Sequence, residues 1–233
     1  MMITLIGVGH VFDIEDQLNK QIRYRRPSVV AVELDRARYE ALMSGEHGGK
    51  APLFYRILSL VQKRIAKKFG VQVGGEMIAA VKTAEEIGAN VALIDMPAQI
   101  VFKKLLNSMS FKERVFFALS VVAGLFVTKK RVEKELERFQ SEDQDYMGGL
   151  RVSMPSISKI LIRDRNIHMA RNLKKLEEKF GTVLAVVGDG HIQGIEHEIR
   201  GREYDVVRLK ELRDGTAKLD DTSTTYSFSY EIQ

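Results

Sequence analysis

Residues 2–10 read MITLIGVGH and residues 183–191 read VLAVVGDGH. Each stretch is a short run rich in Val, Ile and Leu that ends in Gly-x-Gly-His. Runs of this length and composition are typical of strands that are buried on both faces of a parallel sheet. Glycines allow the backbone to turn sharply from a strand into a helix. We therefore predict that each histidine stands at a turn that follows a buried strand.

Two more apolar runs of the same kind lie at residues 29–32 and 91–94, and another strand is predicted at residues 205–209. Between the strands, apolar residues recur at spacings of three and four, which indicates amphipathic helices. These helices are predicted from residue 11 to an end set by Pro27, at residues 77–87 and at residues 192–199. Alternation of strands and helices predicts an α/β fold with a mainly parallel central sheet flanked by helices.

Residues 99–180 differ from the rest, because their pattern is helical throughout. We predict a single α/β domain over residues 1–233, with 99–180 as a large helical insertion that forms a lid or wall over the carboxyl-terminal edge of the sheet. A smaller helical excursion is predicted at residues 53–68, between glycine-rich stretches. Within the tail at residues 212–233, residues 223–232 alternate aromatic residues with Ser and Thr, which predicts an edge strand or a strand that binds a partner.

Composition excludes several classes of protein. The 233 residues include no cysteine, which excludes a disulfide scaffold, a thiol nucleophile and a cysteine-ligated metal site. The net charge of +5 is mild, and no nucleic-acid partner is expected.

The longest uncharged stretch, residues 115–128, is shorter than the roughly 18 residues that a bilayer span needs. We therefore expect a cytoplasmic protein without a transmembrane span. Residues 115–127 are apolar nearly all round a helix, which suits a buried position, a homodimer interface through the insertion, or contact with a membrane to which the protein would be peripheral.

Chemically useful residues gather where the predicted strands end. His10 and His191 follow the first and fourth strands, Glu33 follows the second, and Asp95 follows the third. Open α/β sheets bind ligands at the edge formed by the carboxyl ends of parallel strands. Imidazoles and carboxylates together are ligands of Zn, Mn, Co or Fe(II). We therefore predict a divalent metal site at this edge, within turns shaped by Gly7, Gly9, Gly188 and Gly190.

Rival interpretations apply to several of these residues. A dinucleotide-binding fingerprint fails, because Phe12 and Gln193 stand where its third glycine is required. Glu76 begins a helix, where the helix dipole favours a carboxylate for structural reasons alone. Asp95 precedes Met96 and is either a helix cap or a partner that orients a histidine.

Several short motifs together resemble the TraB/PrgY family of pheromone-shutdown proteins, over about residues 3 to 209. This family is related to the Tiki metalloproteases and to the erythromycin-esterase and ChaN-like proteins. The motifs are Gly7-x-x-His10, Glu33-Leu34-Asp35-x-x-Arg38, Gly75-Glu76-Met77-x-x-Ala80, Arg165-Asn166-x-x-Met169-Ala170 and Gly188-x-Gly-His191-x-x-Gly194-Ile195.

The resemblance implies a metal-dependent hydrolase that acts on peptides. It implies that His10 and His191 are metal ligands, and that Glu33 is a third ligand or the general base. An alternative is a protein that binds and sequesters a peptide without turnover, which the pheromone-shutdown role fits equally.

The resemblance also marks residues that would support this site. Arg165 would hold Glu33 or bind a carboxylate of the substrate, and Asn166 would cap or ligate. Arg38 would pair with nearby carboxylates, although an exposed helical arginine explains it as well. Glu76 and Asp95 are the remaining candidates for contact with a ligand or a substrate.

Overall fold

A five-stranded sheet forms the centre of the protein. The computed structural model describes residues 1–9, 14–44, 74–115, 119 and 155–217. The strands stand in the order β3-β2-β4-β1-β5, and every neighbouring pair is parallel. Their bounds are β1 Met2–Val8, β2 Val29–Val32, β3 Asn90–Leu93, β4 Thr182–Gly188 and β5 Tyr204–Val207. The prediction of an α/β fold with a parallel sheet is confirmed.

Helices cover both faces of this sheet. In chain order they are α1 Glu15–Arg25, α2 Arg36–Ser44, α3 Gly75–Glu86, α4 Ala98–Ser108, α5 Pro155–Ser158, α6 Arg165–Phe180, α7 Ile192–Glu198 and α8 Leu209–Arg213. A π-helical segment, Lys159–Asp164, joins α5 to α6, and a 3₁₀ turn, Asp189–His191, joins β4 to α7. Residues 111–115 are also helical.

Alternating strand residues divide the core into two layers, because successive side chains of a strand point to opposite faces. Ile6 and Val8 lie on the face covered by α1, α3 and α8. Ile3 and Leu5 lie on the opposite face, which α6 and α7 cover. Burial of one such Leu or Ile side chain stabilises the fold by about 1.5–3 kcal/mol. The burial of both faces explains why the strand sequences at residues 29–32 and 183–187 are apolar without interruption.

The helical region predicted at 99–180 is described only in part, through α4, residues 111–115 and the helices from α5 to α6. Helix α6 was expected in the lid, but it packs on the sheet through Met169, Ala170 and Leu173 and is a layer of the fold. The predicted excursion at 53–68 and the predicted edge strand of the tail lie outside the described residues. In the described part of the chain, no helix combines the length and apolarity needed to cross a bilayer.

Candidate functional site

Glu33 lies at the carboxyl end of β2, on the sheet face covered by α6. It continues the alternation of Val29 and Ala31, which both pack in the layer that contains α6. Its side chain is 11% exposed. The Oε2 atom accepts a hydrogen bond of 2.6 Å from the backbone N–H of Gly188, at the end of β4. The neighbouring strand thus fixes one oxygen of Glu33 and leaves Oε1 for other partners.

His191 faces that second oxygen. Its side chain is 8% exposed, and its Nε2 atom lies 3.4 Å from Oε1 of Glu33. On the other side of the ring, Nδ1 lies 2.6 Å from Oδ1 of Asn166. An amide oxygen only accepts hydrogen bonds, so Nδ1 carries the proton of this bond. Nε2 is therefore the ring atom that faces the Glu33 carboxylate.

Gly194 makes room for Asn166. A Cβ atom at Gly194 would lie 1.8 Å from Nδ2 of Asn166, which is far inside van der Waals contact. Asn166 is in the first turn of α6, and Gly194 is in α7. The absence of a side chain at Gly194 therefore allows helix α6 to deliver its amide to the imidazole of His191.

Arg165 joins Glu33 to Asp95. Its Nε and Nη2 atoms donate to the two carboxylate oxygens of Asp95 at 2.9 and 2.6 Å, and Nη2 also donates to Oε1 of Glu33. Arg165 directly follows the π-helical segment, in which Leu161 accepts a hydrogen bond from Nη1. Short π-helical segments occur often at functional sites. Here the segment precedes the two residues, Arg165 and Asn166, that α6 contributes to the cluster.

Asp95 is the most enclosed member of the cluster, with a side chain that is 0% exposed. Its Oδ1 atom accepts from Arg165 and from the backbone N–H of Met96, and its Oδ2 atom accepts from Arg165 and Arg38. Both oxygens are therefore occupied by donors. This arrangement suits a structural centre that positions two arginines and leaves metal ligation to other groups.

Arg38 is held by two carboxylates at the rim of the cluster. Besides Asp95, it contacts Asp35, to which its Nε and backbone N–H each donate at 2.9 Å. Asp35 also accepts a bond of 2.9 Å from the backbone N–H of Ala98 at the start of α4. Arg38 therefore pairs with carboxylates, as one of its two sequence interpretations predicted, and ties α2 to α4.

Burial and hydrogen bonding act in opposite directions on the carboxyl groups. Burial raises the pKa of Glu33, but His191, the Arg165 guanidinium and the Gly188 N–H together hold that pKa well below its ordinary value. The same balance, with Arg38 and the Ala98 N–H as donors, lowers the pKa of Asp35. Burial lowers the pKa of Arg165, but Asp95 and Glu33 raise it more. The cluster thus keeps Glu33 ionised at neutral pH.

The depressed pKa of Glu33 predicts a pH-dependent contribution to stability. A carboxylate with a lower pKa in the folded state stabilises the fold at neutral pH, and this contribution disappears as the pH falls below its ordinary range. We expect the Glu33→Gln variant to lose more free energy of unfolding, relative to wild type, at pH 7 than at pH 3. Urea denaturation across this range measures the difference, and a difference that does not change with pH would contradict the assignment.

The remaining candidates from the sequence are distributed as follows. His10 lies outside the described residues, so its role as a ligand stays a prediction. Glu76 is buried in the first turn of α3, a helix that covers the sheet face opposite α6. Of the four predicted turn glycines, Gly9 directly follows β1, Gly188 ends β4 and Gly190 lies in the 3₁₀ turn after it, whereas Gly7 lies within β1, one residue before its end.

One ion pair at this edge was not predicted from the sequence. Arg208, just after β5, makes a bidentate ion pair with Asp189, at 3.0 and 2.6 Å. Asp189 also accepts a bond of 2.9 Å from the backbone N–H of Leu209. A Cβ atom at Gly7 would lie 2.1 Å from the Asp189 carboxylate, so β1 must carry a glycine there. Residue 208 lies inside the strand predicted at residues 205–209, so the sequence pattern did not mark Arg208 as a strand-end residue; the observed strand ends at Val207.

Two further residues of α6, His168 and Asn172, lie near Asp95. They lie one and two turns beyond Arg165 on α6, and the amide of Asn172 donates to the carbonyl of Ile94 at 3.0 Å. The same amide lies 3.2 Å from Nε2 of His168. Burial lowers the pKa of His168. The two residues fasten α6 to the end of β3, beside Asp95.

A family model described as TraB/PrgY/gumN matches residues 2–208. The chain belongs to the TraB/PrgY/gumN family. The resemblance inferred from the motifs is therefore confirmed. A relative in Methanocaldococcus jannaschii, the uncharacterized protein MJ1365, is 28% identical over 247 aligned residues, which include 99% of this chain. The chain spans 62% of the length of that relative.

Proposed function

We propose that the cluster around Glu33 and His191 is the active site of a metal-dependent hydrolase that acts on peptides. The observation that carries the proposal is the approach of His191 Nε2 to Glu33 Oε1 at 3.4 Å, with Nδ1 held by Asn166. An imidazole nitrogen and a carboxylate oxygen that lie side by side can provide two ligands for Zn, Mn, Co or Fe(II).

The described residues supply part of the ligand set. Among them, no group of three or more His, Asp or Glu side chains is arranged to hold a metal ion. His191 and Glu33 would provide two ligands, and His10 is the proposed third. The donor types fit the ion, and Asn166 holds the histidine ring as a partner to a metal-ligating imidazole commonly does.

The chemistry that a bound divalent ion supplies is polarisation of a substrate carbonyl and a more acidic water molecule. The side chains of the cluster would provide proton transfer and would position the ligands. Glu33 is ionised and can ligate or accept a proton from water. Asn166 orients the His191 ring, and Arg165, whose fork of donors is anchored on Asp95, holds the Glu33 carboxylate through Nη2.

The second candidate function is binding of a peptide without turnover. It is favoured by the contact of Arg165 with Oε1 of Glu33, the oxygen that faces His191. A guanidinium on that oxygen competes with a metal ion for the same lone pairs. In this case Glu33 and Arg165 would form a permanent ion pair, and the strand-end site would bind a peptide as a ligand.

A divalent-metal titration of thermal stability separates the two functions. A ligand at 100 times its dissociation constant stabilises the folded state by about 2.7 kcal/mol. We expect Mn, Co, Zn or Fe(II) to raise the melting temperature of wild type and of His197→Ala, an exposed histidine in the adjacent helix. The His191→Ala variant should lose this increase, and so should a variant that lacks His10.

Two outcomes would count against the hydrolase. One is the lack of any metal-dependent shift in wild type, and the other is an unchanged shift in His191→Ala. Incubation of a peptide library with the protein and the effective metal, followed by mass spectrometry, then tests turnover. Cleavage products support the hydrolase, whereas enrichment of intact peptides on the protein supports the binding function.

A further inference from the structure

The outward face of the helix that runs from Lys159 to Phe180 is basic. Five exposed residues recur on it at intervals of four or eight positions: Lys159, Arg163, Arg171, Lys175 and Lys179. We call these five residues the basic face. The buried row Met169, Leu173 and Glu177 lies two positions before the last three of them. Two positions correspond to about 200° of rotation in an α-helix, so these three cations point away from the sheet, and the first two are exposed in the π-helical segment.

The positive charge of the basic face is not neutralised locally. In the described part of the chain, none of its five residues forms an ion pair with an acidic side chain. The two acids on the outer side of this helix are already paired, Asp164 with Lys104 at 3.0 Å and Glu178 with Arg202 at 2.6 Å. The five positive charges of the basic face equal the formal net charge of +5 of the chain. The remaining basic residues are therefore equal in number to the acidic residues.

Exposed apolar side chains lie on α4, the helix whose Lys104 pairs with Asp164 directly after Arg163 of the basic face. Helix α4 packs against Ile157 and Ile160 through Val101 and Leu105, while Ile100 and Leu106 on its two flanks are exposed. Phe111, which follows α4, is 80% exposed. A basic surface bordered by exposed apolar side chains is typical of proteins that bind an anionic membrane surface.

We propose that the basic face and the adjoining apolar residues bind the surface of an anionic lipid bilayer. The cations contact lipid headgroups, while Phe111 and its apolar neighbours insert at the level of the acyl-chain boundary. A nucleic acid would also attract the cations, but the exposed apolar residues favour lipid. This proposal is independent of the hydrolase, because it uses none of the residues of the strand-end cluster.

Vesicle cosedimentation of the full chain tests the proposal, with phosphatidylcholine vesicles that either contain or lack phosphatidylglycerol. Wild type should bind only the anionic vesicles, and high salt should release it. The variant Arg171→Gln/Lys175→Gln/Lys179→Gln should bind about 100-fold more weakly, since each cation near an anionic surface contributes about a fivefold increase in affinity.

The matched control is Lys20→Gln/Lys82→Gln/Lys210→Gln. These lysines are exposed on α1, α3 and α8, which cover the opposite face of the sheet, and their replacement changes the net charge by the same amount. Control and wild type should bind alike. Equal weakening in the two triple variants, equal binding to neutral vesicles, or a preference for RNA or DNA over anionic vesicles in competition would each overturn the proposal.

Discussion

Replacement of Arg165 by Met is expected to lower the free energy of unfolding by about 3–5 kcal/mol. Arg165 donates to both oxygens of Asp95 and to Glu33, and the two carboxylates have little access to water. Met fills a similar volume but provides no charge. The variant therefore leaves two enclosed carboxylates that Arg38 and His191 neutralise only in part. Urea denaturation at neutral pH measures the loss.

Arg208→Met is the matched control for this variant. Arg208 also forms a bidentate pair with a carboxylate, but its side chain is 48% exposed, so solvent screens the interaction. Its removal should cost about 0.2–1 kcal/mol. Arg165→Lys should fall between the two, because an ammonium cannot reproduce the planar fork of donors. Equal losses for Arg165→Met and Arg208→Met would show that burial does not govern the strength of the Arg165 contacts.

Much of the fold could be predicted from short-range patterns. Residues 29–32 and 183–187 are uninterrupted apolar runs because strands in this sheet are covered on both faces. The ends of elements were less predictable. The first helix was predicted from residue 11 to an end set by Pro27, and it is observed at Glu15–Arg25, followed by Arg26 with a positive φ of 42°. Proline thus marked the end of this helix closely, whereas periodicity identified its buried side but not the residue at which it begins.

The sequence could predict only those site residues whose positions follow from the parallel order of the strands. Glu33, Asp95 and His191 follow three parallel strands, so their meeting at one edge follows from the order of elements. Which groups contact one another could not be predicted. The approach of Asn166 to His191 depends on the packing of α6 against α7, at a glycine that sequence reasoning assigned only to a motif.

The arginines show the same limit. Helical spacing places Arg165 in the buried row that includes Met169 and Leu173, and it places Arg163 outside that row. The sequence thus indicates which arginine faces the sheet. The two carboxylates that enclose Arg165 come from the ends of β2 and β3, so its contacts depend on long-range packing.

Replacement of Glu33 by Gln is expected to lower peptide hydrolysis by about 10²–10⁴-fold while the fold is retained, if Glu33 transfers a proton in the reaction. Gln has the same shape, and its amide oxygen can still accept the Gly188 N–H. It cannot ionise, so it neither accepts a proton at neutral pH nor provides a charged ligand beside His191. The value of kcat/KM on a cleaved library peptide measures the loss, and circular dichroism checks the fold.

Glu177→Gln provides the control for this loss of activity. Glu177 is also a buried glutamate paired with an arginine, Arg202 at 3.0 Å, but it lies at the far end of α6 from Arg165 and Asn166. Removal of its charge should leave kcat/KM unchanged, although it perturbs a buried ion pair of the same kind. If activity falls only in Glu33→Gln, the loss follows from the position of Glu33 at the strand ends. If activity falls equally in both variants, the loss reflects removal of a buried charge in general, and this result would contradict a catalytic role of Glu33.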